Sequence, residues 1–195
     1  ESPLRVSNLR QPQSPQPTLA GESFIDEVAA AVKSDPVQFR LKHRPADGTA
    51  GRARAIAVLK AAAEAYGWDT RPSPKPRGAG PIVTGRGISA PSGGGSGTLV
   101  ATIAEVEVNL QTGNVRVKRF VCAHDCGLVI NPDGLQNVIQ GNLLQATSRI
   151  LKEEVTFDTA KVTSIDWITY PILRHTDVPD KIDIVLVNGD PNPNR

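Results

Sequence analysis

The chain has 195 residues, of which 39% are hydrophobic and 22% are charged, a composition typical of a folded globular protein. Its 22 basic and 20 acidic residues leave a net charge of +2, so charge gives no reason to expect a nucleic acid or an anionic membrane as partner. No apolar run approaches the ~18 residues that a membrane span requires.

The first residue and the lack of methionine lead us to expect a piece of a longer protein. The sequence begins with Glu1 and contains no methionine, whereas an unprocessed translation product begins with Met. Residues 1–20 also lack the apolar segment of a signal peptide. The two cysteines, Cys122 and Cys126, are too few for a disulfide framework. On an extended strand their Cα atoms would be ~13 Å apart, beyond the ~7 Å limit for a bridge.

The first third of the chain is expected to be helical. Residues 1–18 are rich in proline and glutamine, which predicts an extended loop. Helical spacing of apolar residues begins near Glu22, and Pro36 is placed to start a second short helix. The segment "GRARAIAVLKAAAEAYG" predicts the clearest helix, with Gly67 as its C-cap. The apolar stripe of that helix is expected to contain Ile56, Leu59, Ala63 and Tyr66.

A proline- and glycine-rich segment and a β-hairpin follow. Residues 71–97 have the composition of a flexible connection, although "GRGI" within them could begin a strand. Residues 98–123 alternate apolar and polar side chains on both sides of Gln111-Thr112-Gly113, which predicts an antiparallel hairpin turning there. Such a pairing can set Arg116 and Lys118 against Glu105 and Glu107.

The last part combines one long helix with further β-like segments. Asn131 is a typical N-cap, and Pro132 suits the first helical position, so a helix is predicted from there to about Glu154. Two later segments, "VTSIDWITY" and "KIDIVLV", are β-like. The buried face of the helix is expected to contain Leu135, Val138 or Ile139, Leu143, Ala146 and Ile150.

These elements predict an α+β fold with helices packed on an antiparallel or mixed sheet. We expect three parts along the chain. Residues 1–70 form a helical part after an extended N-terminal loop, and residues 71–97 form a connection. Residues 98–195 contain the hairpin, the long helix and the C-terminal strands.

The stretch "CAHDCG" contains side chains that can bind metals or act as nucleophiles. Cys122, His124 and Cys126 would share one face of a strand, but structural zinc sites usually need a second cluster of ligands, and none is evident. A catalytic Cys–His pair requires thiolate, base and orienting group to converge in space, which the sequence does not establish. Buried small residues are the favoured interpretation, because free cysteine behaves as a small hydrophobe.

The long helix carries polar side chains with two possible roles. Gln136 and Gln140 are one turn apart, so they either present amides to a polar heterocycle or form a solvated surface, and both alternatives stay open. The helix start at Asn131 offers backbone N–H groups that suit a phosphate. Glu153 and Glu154 have the position of ordinary solvated charges.

Several longer motifs occur together in one order along nearly the whole chain. They are "NLRQP", "GRGI", "AEVEV", "TGNVRV", "HDCGLVINP", "LKEEV" and "YPILR". This combination resembles the C-terminal portion of the molybdopterin-binding subunits of the xanthine dehydrogenase/aldehyde oxidase family. The greatest resemblance is to the isoquinoline 1-oxidoreductase and nicotinate dehydrogenase type.

The resemblance implies a molybdopterin-type molybdenum cofactor in the parent protein and a molybdenum-cofactor-binding-domain-like fold. Such enzymes insert a water-derived oxygen into a C–H bond of an N-heterocycle or an aldehyde, with the cofactor supplying the redox chemistry. The implied partners are the remainder of the large subunit, a [2Fe-2S] subunit, and a flavin or cytochrome electron acceptor. Residues 122–145 would then form part of the wall beside the pterin and contain no metal ligand.

The resemblance also assigns roles to individual residues. Arg10 matches a loop arginine near the molybdenum centre, although the neighbouring Gln11 replaces the usual Gly or Ser. The family's helix motif, Gln-Ile/Val-Glu-Gly, reads here as Val138-Ile139-Gln140-Gly141. Valine therefore stands where the family has its pterin-contacting glutamine. The expected cofactor contacts are Arg10, Gln136, Gln140 and Gly141.

The family's catalytic glutamate belongs to a Gly-x-Gly-Glu motif that would lie beyond Arg195. We therefore expect no catalytic residue within the chain, no cofactor bound to the 195-residue piece alone, and no activity from it. The alternative is a non-catalytic scaffold or assembly domain in which the valine marks the loss of pterin contact. A stand-alone β-rich binding module is disfavoured by the order of the motifs.

Overall fold

The computed structural model describes residues 15–44, 46–91 and 97–187. These residues form an α+β fold, as predicted, in the order α1 (Pro15–Ala31), α2 (Pro36–His43), α3 (Ala50–Tyr66), β1 (Ile82–Ser89), β2 (Leu99–Asn109), β3 (Val115–Asp125), α4 (Pro132–Leu151), a short 3-10 helix (His175–Asp177) and β4 (Lys181–Leu186). No helix among the described residues is long and apolar enough to cross a membrane.

The four strands form one mixed sheet in the order β1-β2-β3-β4. β1, β2 and β3 are antiparallel, and β4 runs parallel to β3. The predicted hairpin is confirmed, and Glu107 lies opposite Arg116. The expected pairing of Lys118 with Glu105 is wrong, because an irregularity between Glu105 and Val106 sets Arg119 opposite Glu105. A β-bulge of this kind adds an unpaired residue to one strand and shifts the register beyond it.

The hydrophobic core lies between α3 and one face of the sheet. Leu59 is completely buried, whereas Ile56, Ala63 and Tyr66 of the expected stripe are only partly buried. The buried row is instead rich in small side chains, which let the helix approach the strands closely. The core residues of α3 and the sheet are Ala55, Val58, Leu59, Ala62, Ile88, Leu99, Ala101, Ile103, Val121 and Ala123.

Two segments differ from the simplest sequence interpretation. β1 lies inside the predicted connection of residues 71–97 and includes the "GRGI" segment, in line with the alternative stated for it. α1 begins at Pro15, so the expected loop is wrong for residues 15–18, and residues 1–14 lie outside the described part. The division of the chain at residues 70 and 97 stays a prediction.

A buried cluster of charges joins α1, α2 and the end of β1. The guanidinium of Arg40, whose side chain is 0% exposed, donates to the Glu22 carboxylate at 3.1 Å and to Asp26 at 2.6 Å. Glu22 also accepts the backbone N–H of Ala90 at 2.7 Å and pairs with Arg44. Because buried charges are tolerated only when they are paired and hydrogen-bonded, this cluster fixes the packing of the two N-terminal helices.

α4 begins as predicted, and its predicted buried face is right for Ile139 but wrong for Ala146 and Ile150. Val138 is 57% exposed and Ile150 is 79% exposed, whereas Ile139 is buried together with Thr147 and Ser148. Among the other helices and strands the helix packs mainly against β4, and several of its apolar side chains are exposed in the described part of the chain. β4 confirms the strand expected at "KIDIVLV".

The strand expected at "VTSIDWITY" is also wrong, since these residues form a turn and short bends. Asp166 and Thr169 accept hydrogen bonds from the surrounding backbone N–H groups. Short polar side chains that bond to nearby backbone in this way compete with strand pairing. The β-branched residues of this segment produce a strand-like pattern, but the hydrogen bonds of Asp166 and Thr169 stabilise a turn instead.

Gly67, the C-cap of α3, provides a test of the local backbone. Its φ of 74° lies in the left-handed region, where a Cβ costs about 1–2 kcal/mol. Gly67→Ala should therefore lower the free energy of unfolding by about 1 kcal/mol. The control Gly51→Ala lies inside the same helix with open space for a Cβ, and it should be neutral or stabilising by up to about 1 kcal/mol. Urea unfolding followed by circular dichroism checks both, and the same sign for both substitutions would contradict the left-handed cap.

Candidate functional site

The start of α4 is closed by its own side chains. The Asn131 side chain accepts the backbone N–H of Gly134 at 2.9 Å, and Pro132 occupies the first turn without an N–H to offer. Asp133 adds a negative charge to the same turn, which repels an anion. The helix start is therefore poorly suited to the phosphate considered from the sequence, because free N–H groups and positive potential are what attract an anion there.

The two glutamines of α4 lie on its inner side. Gln136 and Gln140 are half-buried and share a helix face, since they are four residues apart, and both lie to the same side of the buried Ile139. Neither amide has a hydrogen-bond partner within the described ranges. An amide carries two N–H donors and an acceptor oxygen, so the pair offers convergent hydrogen-bonding groups beside the buried edge of the helix.

Gly141 lies about 100° further round the helix axis and is exposed. A Cβ built on it would meet no atom within 4 Å, so nothing in the described chain requires glycine at this position. Val138, one turn before it, is also exposed. The predicted cofactor contacts Gln136, Gln140 and Gly141 therefore lie on two adjacent sides of α4. The fourth predicted contact, Arg10, lies outside the described residues.

The end of β3 is held by a pair of charges that the sequence did not reveal. Arg54 of α3 donates two hydrogen bonds to the Asp125 carboxylate, at 2.7 and 2.8 Å. These bonds raise the pKa of Arg54. Asp125 also accepts the N–H of Gly127. These two hydrogen bonds join α3 to the end of β3, and they position the chain that leads into α4.

The cysteines and histidine of "CAHDCG" do not assemble a reactive site. Burial raises the pKa of the Cys122 thiol, whose sulfur accepts a hydrogen bond from Thr102 at 3.7 Å. Burial lowers the pKa of His124, and its Nδ1 is buried without a partner in the described residues. Cys122 and Cys126 are not joined by a disulfide, and within residues 15–44, 46–91 and 97–187 no group of three His, Cys, Asp or Glu side chains is placed to hold a metal ion.

Glu153 has a structural role. Its carboxylate accepts hydrogen bonds from Ser148 and from the Tyr170 hydroxyl, the latter at 2.9 Å. The bond to Glu153 raises the pKa of Tyr170, and Leu173 N–H donates to Ser148 at 2.9 Å. The motifs "LKEEV" and "YPILR" thus meet in space, and their contact ties the segment after α4 to the end of that helix.

Comparison with known proteins places these features in a family context. The profile of the molybdopterin cofactor-binding domain matches residues 27–179. One chain of the nicotinate dehydrogenase of Pseudomonas putida is 38% identical over 94% of this chain and 16% of its own length. The beta chain of the isoquinoline 1-oxidoreductase of Brevundimonas diminuta is 30% identical over 90% of this chain and 21% of its own length.

Among solved structures, quinoline 2-oxidoreductase from Pseudomonas putida 86 is similar at 32% identity, with a TM-score of 0.45. That match covers 47% of this chain and 12% of the other. The chain spans less than a quarter of the length of either curated relative. Activities, substrates and partners named for those proteins belong to much longer polypeptides.

Proposed function

The chain belongs to the molybdopterin cofactor-binding domain family, and from that premise we propose that it is a segment of the large subunit of a molybdenum hydroxylase. The proposed parent oxidises an N-heterocycle or an aldehyde by inserting oxygen derived from water. The observation that carries the proposal is the match over nearly the whole chain to proteins named for nicotinate and isoquinoline oxidation. These names are the reason to test N-heteroaromatic substrates first.

The residues of α4 fit a molybdopterin-type cofactor. A pterin edge is a row of hydrogen-bond donors and acceptors. The half-buried amides of Gln136 and Gln140 can donate to its acceptors and accept from its donors. The open space beside Gly141 allows close approach of a bound group to the helix backbone. We propose that these three residues and Arg10 contact the cofactor.

The role of this chain is to bind and orient. The cofactor, when bound, supplies the two-electron redox chemistry of the reaction. The amides orient it, and the Arg54–Asp125 pair keeps the start of α4 in register with β3. The proton transfer that such a reaction requires needs a base within hydrogen-bond reach, and we propose that residues outside this chain supply it. Electrons would leave through a [2Fe-2S] subunit to a flavin or cytochrome acceptor.

A second candidate function is a non-catalytic scaffold. Val138, at the position of the family's pterin-contacting glutamine, is 57% exposed and offers no hydrogen bond. A parent that has lost the cofactor would keep the fold and the family match without catalysis. The two candidates differ in what the full-length parent does with a substrate.

Dye reduction by the full-length parent tests the proposal. With a panel of N-heteroaromatic acids and bases, such as nicotinate and isoquinoline, we expect substrate-dependent reduction of an artificial electron acceptor. Aldehydes serve as the second panel, and activity with them alone would move the proposal to that class. No reduction with either panel by a parent that carries its full set of subunits would favour the scaffold.

A further inference from the structure

A rigid turn after α4 presents large apolar side chains to solvent. Within the turn of residues 165–169, hereafter the Trp167 turn, Ile165 is 79% exposed, Trp167 is 71% exposed and Ile168 is 86% exposed. Isolated exposed apolar residues are ordinary on protein surfaces, but a contiguous group of this kind marks an interaction site.

The turn is held in shape by its own polar side chains. Asp166 Oδ1 accepts the N–H groups of Ile168 at 3.0 Å and Thr169 at 2.8 Å. Thr169 Oγ1 accepts the N–H groups of Ile165 at 3.0 Å and Asp166 at 3.2 Å. The conformation of the turn therefore does not depend on burial of its apolar side chains. A surface fixed in advance loses little conformational entropy when a partner covers it.

The one charged side chain of the turn, Asp166, bonds to the backbone of the turn itself. Asp166 is the single charged residue between Val162 and Leu173, and its carboxylate faces the backbone of the turn. Hydrogen bonds from Thr169 hold its pKa below the usual range. Asp166 itself is exposed, so the turn presents three large apolar side chains beside one hydrogen-bonded carboxylate.

The segment that follows the turn is attached to α4. The hydrogen bonds of Tyr170 to Glu153 and of Leu173 to Ser148 attach the segment after the turn to the end of that helix. Exposed apolar side chains also occur on the helix itself and on the chain leading into it. They are Leu128, Ile130, Val138 and Ile150.

We propose that the Trp167 turn is a docking surface for the part of the same large subunit that lies outside these 195 residues, with Trp167 as its central anchor. The inference rests on the proposed function in so far as the parent is a large subunit of the family. The relatives leave ample polypeptide for the purpose, since the chain spans 16% and 21% of their lengths. Tryptophan at the centre of an interface commonly dominates its binding energy.

Photo-crosslinking in the full-length holoenzyme tests this assignment. Trp167 is replaced by p-benzoylphenylalanine, an aromatic residue of similar size, and the irradiated protein is analysed by denaturing electrophoresis and peptide mapping. We expect a crosslink within one polypeptide, joining the turn to a segment outside the 195 residues. The matched probe at Thr112, in the exposed hairpin turn, should give little crosslinking.

Other outcomes overturn the proposal. A crosslink to a second copy, or to a separate iron–sulfur subunit, assigns the surface to a different occupant. Equal crosslinking yields from the probes at Trp167 and Thr112 would show that the Trp167 turn is not a specific docking surface. Hydroxyl-radical footprinting of the unsubstituted holoenzyme gives an independent measure, because a covered Trp167 should be oxidised more slowly than in the unfolded protein, and equal rates contradict docking. An inactive parent with an intramolecular crosslink would refute the proposed reaction and leave the docking surface supported.

Discussion

Arg40→Met should lower the free energy of unfolding of the chain by about 3–5 kcal/mol. Arg40 is buried and bonded to the carboxylates of Glu22 and Asp26. Methionine fills a similar volume but leaves Glu22, whose side chain is 11% exposed, with only its more distant pair with Arg44 and the N–H of Ala90. Removing one partner of a buried pair is expensive because the other charge stays buried. Urea unfolding followed by circular dichroism measures the change.

An exposed ion pair on the same chain provides the control. Arg52 pairs with Asp47 at 3.6 Å, with both side chains about a third to a half exposed, so Arg52→Met should change the stability by less than about 1 kcal/mol. The double variant with Arg40→Met and Glu22→Leu should recover only a small part of the loss, because it removes the acceptor of the Ala90 N–H and the partner of Arg44 as well. Equal losses for Arg40→Met and Arg52→Met would show that the cluster does not hold the helices.

Gly141→Ala in the full-length parent should have opposite effects on stability and on cofactor retention. Alanine is better than glycine inside a helix by about 1 kcal/mol, and the added Cβ meets nothing in the described chain. If the cofactor lies against this position as proposed, the methyl group overpacks the contact by about 1–3 kcal/mol, equivalent to about tenfold to a hundredfold weaker retention. Molybdenum content and thermal unfolding of the same preparation give the two readouts.

Gly21→Ala is the matched control. Gly21 is also an exposed helical glycine with open space for a Cβ, but it lies on α1, for which we propose no cofactor contact. This substitution should stabilise the protein similarly and leave the molybdenum content unchanged. Equal molybdenum in Gly141→Ala and wild type would remove Gly141 from the proposed site.

The parts of the fold that the sequence predicted are those set by local interactions. The hairpin follows from alternation on both sides of a glycine-containing turn, and the caps at Asn131 and Gly67 follow from the preferences of single residues. The register past Glu105 was not predicted, and there Arg119, opposite Glu105, bonds to Asp183 and to backbone oxygens of α3. Those partners are distant in sequence.

The exposed side of α4 shows a different limit of sequence reasoning. Apolar periodicity indicates that a side chain will be covered, but it does not say by which part of the protein. Ile150, and Val138 as the alternative to Ile139, were expected to face the core of this chain, but both are exposed while Ile139 is buried. We attribute their cover, like that of the Trp167 turn, to polypeptide beyond these residues.

The candidate site was accessible to sequence reasoning only in part. The spacing of Gln136 and Gln140 predicted a shared helix face, and the structure places both on the inner side of α4. The Arg54–Asp125 pair could not be found in this way, since the partners are separated by 71 residues. The roles of the two glutamines toward a cofactor stay predictions, as does the contact assigned to Arg10.

The molybdenum content of the purified full-length parent tests the central claim most directly. Elemental analysis should find about one molybdenum atom per large subunit, because in such enzymes the redox chemistry belongs to the bound cofactor. The parent should be produced in a host that makes molybdopterin cofactors, with a known molybdenum hydroxylase purified in parallel. Molybdenum at background level in the parent, with full loading of the parallel enzyme, would contradict the assignment and favour the scaffold.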